Sequence, residues 1–324
     1  MLLQIRAAFM YETIHTQMLN HASDSPSREP DIAVRIGCEL QYWVPVPTPA
    51  YLVLRPRRSA TQRIEQEQFT FHPGLSSSEE LDAHGSILDR VTLQPGLNTI
   101  RHDAIVAIPS TPEKIPTVEL PVPIDRLPSS ILRYTLPSRY CDSDKLMAFA
   151  AQQFGHLPPG GPTVRSICDW LHQNIEYRTG SGSPELSAND IIQRGFGVCR
   201  DFAHTAVALC RCFNLPTRYI TGHLPDIGVF DPGTPMDFHA YFEVFLDHQW
   251  ITMDARFNTA RIGRVKIACG MDAVDGAFST VYGCTNLNLF QVWAYQINPR
   301  EVSIGDPIDI SKRLDGTPDV RRFL

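Results

Sequence analysis

The first third of the chain alternates apolar and polar positions with a period of two. Val, Ile, Cys, Leu, Tyr and Val alternate with Arg, Gly, Glu, Gln and Trp between residues 34 and 44. That period predicts a strand with one buried face. Further strands are predicted at 51–54, 64–71 and 98–108, with Pro, Gly and Ser clusters between them. We interpret residues 31–108 as an antiparallel β-sandwich domain.

The spacing changes after residue 139. A helix is predicted where apolar residues recur at i, i+3, i+4, i+7 and i+11, namely Val164, Ile167, Cys168, Leu171 and Ile175. A short helix over 187–193 follows, with Ser187 as its N-cap, and then a largely buried helix from Cys199 to Phe213. Strands are predicted at 218–222, 239–246 and 249–254. Helices followed by an antiparallel sheet make 140–300 an α+β domain.

Segments without such patterns separate and flank the two domains. Residues 109–139 carry seven prolines, which fix φ and remove N–H donors, so we expect an extended proline-rich connector. Residues 1–30 are expected to be a flexible N-terminal extension, because 21–30 is polar and has no period. Residues 301–324 are expected to be a C-terminal tail.

Composition and charge limit the partners. The 324 residues include 29 Lys and Arg against 35 Asp and Glu, a net charge of −6, which argues against a general nucleic-acid binder. No stretch approaches the ~20 apolar residues of a membrane-spanning helix, and the N-terminus lacks the pattern of a signal peptide. We expect a cytoplasmic protein with no nucleic-acid or membrane partner, whose eight cysteines are thiols rather than disulfides.

Cys199 lies where a glycine-containing turn meets the start of the buried helix. Free N–H groups and partial positive charge at a helix N-terminus favour the thiolate, which is the reactive form of cysteine. The same N–H groups could stabilise the oxyanion of a tetrahedral intermediate, and the backbone N–H of Cys199 is the first candidate. Gln193 and Tyr177 are weaker candidates for a side-chain donor, since an ordinary structural role is commoner for such residues.

A thiolate nucleophile needs an imidazole, and the imidazole needs an orienting carboxylate. His239 begins one predicted strand and Asp254 ends the next. An even hairpin loop that pairs Phe245 with Trp250 puts Tyr241 opposite Asp254 and His239 diagonal to it on the same face. A register shifted by two residues puts His239 directly opposite Asp254, whereas an odd loop would separate them. Cys199, His239 and Asp254 are therefore the candidate catalytic residues.

Three segments carry a family resemblance: Gly-Val-Cys-Arg-Asp-Phe-Ala-His at 197–204, Asp-Phe-His-Ala-Tyr-Phe-Glu-Val at 237–244, and Trp-Ile-Thr-Met-Asp-Ala at 250–255. They resemble the transglutaminase-like superfamily, and more closely its bacterial members regarded as cysteine proteases, in which a β-rich region precedes the catalytic domain. The resemblance covers roughly 31–297. One departure is Asp-Ala-Arg where such sequences often read Asp-Pro-Thr, which alters the pocket rim near Arg256.

The resemblance implies a papain/transglutaminase-like catalytic domain with Cys199 as nucleophile, His239 as general base and acid, and Asp254 as orienting residue. The implied reaction is cysteine-dependent acyl transfer on amide bonds of a peptide or protein substrate through a thioester, without cofactor or metal. Water as acceptor gives a protease or amidase, and an amine gives a transglutaminase. The expected cytoplasmic location and the lack of a calcium-loop motif favour hydrolysis of a peptide or isopeptide bond.

Other interpretations stay open. An arylamine-acetyltransferase-like protein uses the same Cys-His-Asp order, although Arg-Gly-Phe-Gly-Val-Cys at 194–199 departs from its Arg-Gly-Gly-x-Cys pattern. A third hypothesis is a binding module with a vestigial triad. The N-terminal β domain could bind a partner. Cys210 and Cys212 diverge by about 200° on a helix, so we expect structural thiols there. His204 is expected to be a hydrogen-bonded structural group.

Overall fold

The computed structural model describes residues 29–229 and 234–308. The strands are β1 (Ile32–Val44), β2 (Thr48–Leu52), β3 (Arg63–His72), β4 (Ser77–Leu81), β5 (Ile87–Leu93), β6 (Gly96–Ile108), β7 (Glu176–Tyr177), β8 (Phe196–Gly197), β9 (Thr217–His223), β10 (His239–Leu246), β11 (Gln249–Met253), β12 (Val265–Gly270), β13 (Ser279–Val281) and β14 (Asn286–Ile297). The helices are α1 (Ser129–Leu132), α2 (Ser143–Phe154), α3 (Gly161–Asn174), α4 (Ala188–Arg194) and α5 (Cys199–Cys212), with 3₁₀ turns at Ile124–Arg126 and Arg133–Thr135.

The N-terminal region contains two four-stranded antiparallel sheets, in the orders β14-β1-β6-β3 and β13-β2-β5-β4. One apolar cluster takes residues from both sheets, among them Leu40, Leu52, Leu93 and Ile100. The predicted strands at 34–44, 64–71 and 98–108 are confirmed as β1, β3 and β6, and the strand predicted at 51–54 begins earlier, as β2. The β-rich N-terminal region is therefore confirmed, while the face-to-face sandwich stays a prediction.

The alternation in β1 predicted one buried face, but the first half of the strand is buried on both faces. Arg35 is fully buried and its Nη2 lies 2.7 Å from Oδ2 of Asp103 on β6. A Cβ added at Gly37 would lie 2.2 Å from the carbonyl oxygen of His102, so only glycine fits there. The second face is covered because Trp293 of β14 and the residues after that strand pack against it.

The C-terminal part of the described chain pairs with N-terminal strands. β14 pairs with β1 from Ala33↔Ile297 to Trp43↔Asn286, and β13 pairs with β2. The domain boundaries stay predictions, at 31–108, 109–139 and 140–300. The strand pairing shows in addition that β13 and β14 complete the N-terminal sheets. The predicted extension (1–30) lies outside the described residues except for its last two, as does the predicted tail (301–324) from 309 onward.

The third sheet has the order β11-β10-β9-β12, and α2 to α5 pack their apolar residues against one face of it. The predicted amphipathic helix is confirmed as α3, in which Val164, Ile167, Cys168 and Leu171 are fully buried. Ser187 is the N-cap of α4, where its N–H donates to Asp190 over 2.8 Å. The helix predicted from Cys199 is α5, buried from Asp201 to Cys212. The mixture of helices and antiparallel sheets confirms the α+β class.

The β10–β11 hairpin sets the register on which the candidate site depends. Asp247 and His248 have φ of 46° and 63°, as a two-residue hairpin turn of the primed type requires. Phe245 then pairs with Trp250, which confirms the predicted even loop. Within residues 29–229 and 234–308, no helix has both the length and the apolar content needed to cross a membrane.

Candidate active site

The segment that leads into α5 is fixed on both sides of Gly197. Tyr177 on β7 pairs with Gly197 on β8, and Oδ2 of Asp201 accepts the N–H of Val198 over 2.9 Å. A Cβ at Gly197 would lie 2.7 Å from Cβ of Asp201, so a larger residue would displace the side chain that caps the helix. These contacts place Cys199 as the first residue of α5.

The Cys199 side chain is partly exposed and packs against Ala203, Tyr219 and Ala240. Burial raises the pKa of the Cys199 thiol, although the backbone N–H of Ala240 and the charge of Arg256 favour the thiolate. The sequence predicted a lowered pKa from the helix N-terminus, and here desolvation has the larger effect. Formation of the thiolate therefore calls for a base beside the sulfur.

His239 begins β10, directly before Ala240, and its side chain is 6% exposed. Its Nε2 lies 2.7 Å from Oδ2 of Asp254, so Nδ1 is the ring nitrogen left to accept a proton from a thiol. The ring also packs against Phe257, with centroids 5.2 Å apart. Burial lowers the pKa of His239 below 6.5, even though Asp254 acts to raise it. The imidazole is thus neutral at neutral pH and can act as a base.

Both carboxylate oxygens of Asp254 are hydrogen-bonded. Oδ1 accepts the N–H groups of Arg256 and Phe257 over 3.0 and 3.2 Å. Oδ2 accepts from His239 and from Nη2 of Arg264, each over 2.7 Å. Burial acts to raise the pKa of Asp254, but the charges of His239 and Arg264 outweigh it and hold that pKa well below its usual range. The group that orients His239 is therefore an ionised and fully held carboxylate.

Two residues behind Asp254 were missed by the sequence analysis. Arg264, with a side chain 3% exposed, also donates from Nε to Glu113 over 3.0 Å. Glu113 comes from the predicted connector, 151 positions away from Arg264. Arg264 precedes β12 within a basic run, Arg-Ile-Gly-Arg-Val-Lys, which is typical of a solvated surface turn. No local pattern marks either residue, because their burial depends on contacts between distant segments.

The weaker candidates lie in different surroundings. Tyr177 is 37% exposed, with the guanidinium of Arg256 3.6 Å from its ring, and Cys199 contributes to its electrostatic environment. Gln193 is exposed on α4. His204 is buried, and its Nε2 accepts the N–H of Ala273 over 3.1 Å, as the structural interpretation predicted. A side-chain oxyanion donor stays a prediction, with Tyr177 the better placed of the two.

The other cysteines differ from Cys199 in exposure. All eight are free thiols: six are buried, whereas Cys284 is exposed. Burial raises the pKa of Cys210 and of Cys212 to about 12, so both stay protonated at neutral pH. Across the part of the chain that the structure describes, no group of three His, Cys, Asp or Glu side chains could hold a metal ion.

Comparisons with known proteins show which family the chain is similar to. Residues 148–255 match the family profile of the transglutaminase-like superfamily. An uncharacterized protein of Mycobacterium tuberculosis is 28% identical over 182 residues, which are 53% of this chain and 58% of that protein. One of Mycobacterium leprae is 23% identical over 178 residues, or 53% and 62% of the two chains. The match thus covers less than two thirds of each relative.

A solved structure matches over a longer range. The crystal structure of a protein from Cytophaga hutchinsonii, named a "putative cysteine protease", is 32% identical with a TM-score of 0.76, and the match covers 83% of this chain and 92% of that one. Likeness of sequence and of fold over nearly the whole of that protein, together with the matching profile, places the chain in the transglutaminase-like superfamily.

Proposed function

We propose that the protein is a cysteine-dependent acyl-transfer enzyme that acts on amide bonds through Cys199, His239 and Asp254. The observation that carries the proposal is the 2.7 Å bond between Nε2 of His239 and Oδ2 of Asp254. His239 directly precedes Ala240, whose backbone N–H favours the Cys199 thiolate. The nucleophile, base and orienting carboxylate thereby come from the start of α5, the start of β10 and the residue that follows β11.

The reaction proceeds in two halves. Nδ1 of His239 takes the proton of the Cys199 thiol as the sulfur attacks the amide carbonyl, and the backbone N–H of Cys199 donates to the developing oxyanion. His239 then gives that proton to the leaving amine, which departs and leaves a thioester on Cys199. An acceptor loses a proton to His239 and attacks the thioester, and collapse of the second tetrahedral intermediate restores the protonated Cys199 thiol.

The directions of the two pKa shifts describe the resting site. Burial raises the pKa of Cys199 and lowers that of His239, so each acts to favour the neutral thiol and neutral imidazole over the ion pair. The two groups titrate as a coupled pair. Proton transfer is then completed as the substrate carbonyl is attacked, when the imidazolium gains stabilisation from the ionised Asp254.

We propose hydrolysis of a peptide or isopeptide bond as the overall reaction. The name of the Cytophaga hutchinsonii protein supports water as acceptor. Transfer to an amine, as in a transglutaminase, uses the same first half and differs only in the acceptor. The proposal also keeps a cytoplasmic location and a peptide or protein substrate, and leaves binding of a further partner to the N-terminal β region.

The direct test is labelling with a peptide-like thiol-directed probe. The wild type should be labelled at Cys199, the Cys199→Ala variant should lose the label, and the Cys284→Ala variant should keep it, since Cys284 is the exposed thiol. Tagged glutamine peptides with and without a primary amine then separate hydrolysis from transfer. Equal labelling of the wild type and Cys199→Ala would contradict the proposal and favour a binding module, whereas labelling of Cys199 by acetyl-CoA would favour an acetyltransferase-like activity.

A further inference from the structure

Arg264 lies directly behind the His239–Asp254 pair. Its Nη2 donates to Oδ2 of Asp254 over 2.7 Å, and this is the same oxygen that binds His239. Its Nε lies 3.0 Å from Oε2 and 2.8 Å from Oε1 of Glu113. Its guanidinium carbon also lies 4.5 Å from the ring centroid of Tyr241. One buried arginine therefore joins the carboxylate, the strand that carries His239 and a segment of the predicted connector.

We propose that Arg264 is a positioning residue of the triad, fixed by Glu113, that sets the orientation of Asp254 and the charge felt by His239. The inference rests on the proposed function, since it concerns the same three catalytic residues. It deepens that function by assigning residues 113 and 264 to the site.

The fixed geometry of a guanidinium explains why an arginine suits this position. Its N–H donors form a rigid planar fork, so Glu113 on one arm determines where the other arm places Oδ2 of Asp254. Glu113 is itself held, because its backbone N–H donates to the carbonyl of Arg261 over 3.3 Å. A lysine would keep the charge at Arg264 but could not reproduce both bonds in fixed directions.

The charges predict opposite effects of the two partners. With neutral His239, the group of Glu113, Arg264 and Asp254 carries a net charge of −1. Removal of the Arg264 charge makes it −2, which stabilises the imidazolium and raises the pKa of His239. Removal of the Glu113 charge makes it zero and lowers that pKa. General damage to the fold would not produce shifts of opposite sign.

Several groups face His239, and the comparison keeps all of them constant except Arg264. Asp254 acts to raise the pKa of His239, while Arg264 and Arg256 act to lower it. Tyr241 and Phe257 pack against the ring without a formal charge. Cys199 is the remaining titratable partner in the proposed mechanism, so the measurement uses a Cys199→Ala background in which the thiol cannot titrate.

The experiment follows the His239 pKa by NMR in that background, for Arg264→Gln, Arg264→Lys, Glu113→Gln and Arg35→Gln. Arg35 is the matched control, since it forms a buried pair with Asp103 in the N-terminal sheet. We expect an upward shift of about one unit for Arg264→Gln, a smaller downward shift for Glu113→Gln, and none for Arg35→Gln. In protein that retains Cys199, Arg264→Gln should lower kcat/KM about 10- to 100-fold, and Arg264→Lys should have a kcat/KM between that of Arg264→Gln and that of the wild type.

Shifts of the same sign for Glu113→Gln and Arg264→Gln would overturn the inference, as would an Arg264→Gln value equal to that of Arg35→Gln. If Arg264→Gln fails to fold, Glu113→Gln decides: a downward shift of the His239 pKa supports the inference, and an upward shift or none overturns it. The NMR titration needs no turnover. Failure of the proposed function would appear as a wild type without activity or Cys199 labelling, which is distinct from the absence of a His239 shift.

Discussion

The substitution Asp254→Asn tests the orienting role of this carboxylate, because it keeps the shape of the side chain and removes its charge. Asn has the same shape but only one acceptor oxygen, whereas Asp254 accepts four N–H bonds, two on each oxygen. If the amide oxygen stays with the N–H groups of Arg256 and Phe257, the NH₂ group faces Arg264 and His239. Arg264 can only donate, and His239 can accept at Nε2 only as the Nδ1–H tautomer, which cannot take the thiol proton.

The expected losses of activity and stability follow from those contacts. Loss of a charged hydrogen bond costs about 1.5–3 kcal/mol, which corresponds to roughly a 10- to 200-fold lower stabilisation of the imidazolium at 1.36 kcal/mol per factor of ten. The reversed tautomer extends the expected fall in kcat toward about 10⁴-fold. Removal of the buried charge that pairs with Arg264 should also lower the free energy of unfolding by about 3–5 kcal/mol.

The assay compares turnover of a peptide substrate by the wild type, Asp254→Asn and Asp103→Asn, each measured well below its melting temperature. Asp103 is a matched control, since it is a buried carboxylate that binds Arg35 through both oxygens in another sheet. Asp103→Asn should lose stability and keep kcat within a few fold. A folded Asp254→Asn that retains activity within threefold of the wild type would refute the reasoning.

Two further predictions concern stability. Gly197→Ala should lower the free energy of unfolding by about 1–3 kcal/mol and reduce kcat/KM, because the new Cβ would lie 2.7 Å from Asp201 at the start of α5; an unchanged melting temperature and activity would speak against this. Glu243 is buried between Arg218 and Lys266, whose charges outweigh burial and lower its pKa from 4.5 to about 2. A lowered folded-state pKa stabilises the fold above pH 4.5, and this stabilisation is lost as the pH falls through about 2. Glu243→Gln should therefore lower the free energy of unfolding, measured with urea, by about 3 kcal/mol at pH 7 and by progressively less at lower pH. A loss of stability independent of pH would contradict the assignment.

Local patterns were sufficient to predict α5, which begins with Cys199, and the β10–β11 hairpin, which begins with His239 and ends next to Asp254. The register of the β10–β11 hairpin follows from period-two alternation around a two-residue turn, and it brings His239 and Asp254 together. The apolar spacing of α3 and the glycine-containing turn before α5 are likewise local. Such features depend on neighbours a few residues apart, which is why one sequence reveals them.

Elements that depend on distant contacts were missed. Apolar and polar positions alternate along β5, but one of its buried positions is the charged residue Asp89, which pairs with Arg55 over 3.1 Å. That charge interrupts the apolar pattern by which a strand is predicted. β4 is exposed along its length and has no apolar face to detect. β14 completes a sheet with β1, some 250 residues earlier in the chain. Arg264 and Glu113 belong to the same class, since each is recognisable only once the other and Asp254 are in place.

The measurement that tests the central claim most directly is the rate at which iodoacetamide alkylates each thiol, followed by mass spectrometry from about pH 5 to 9. Cys284 is exposed and serves as the reference thiol within the same molecule. Because His239 takes the thiol proton as the sulfur attacks, Cys199 should react about tenfold or more faster than Cys284 near neutral pH, and His239→Ala should remove that excess. The rate should fall in an acid limb below the ordinary histidine pKa of about 6.5, where His239 becomes protonated. A Cys199 that reacts no faster than Cys284, or at a rate unchanged by His239→Ala, would contradict the account.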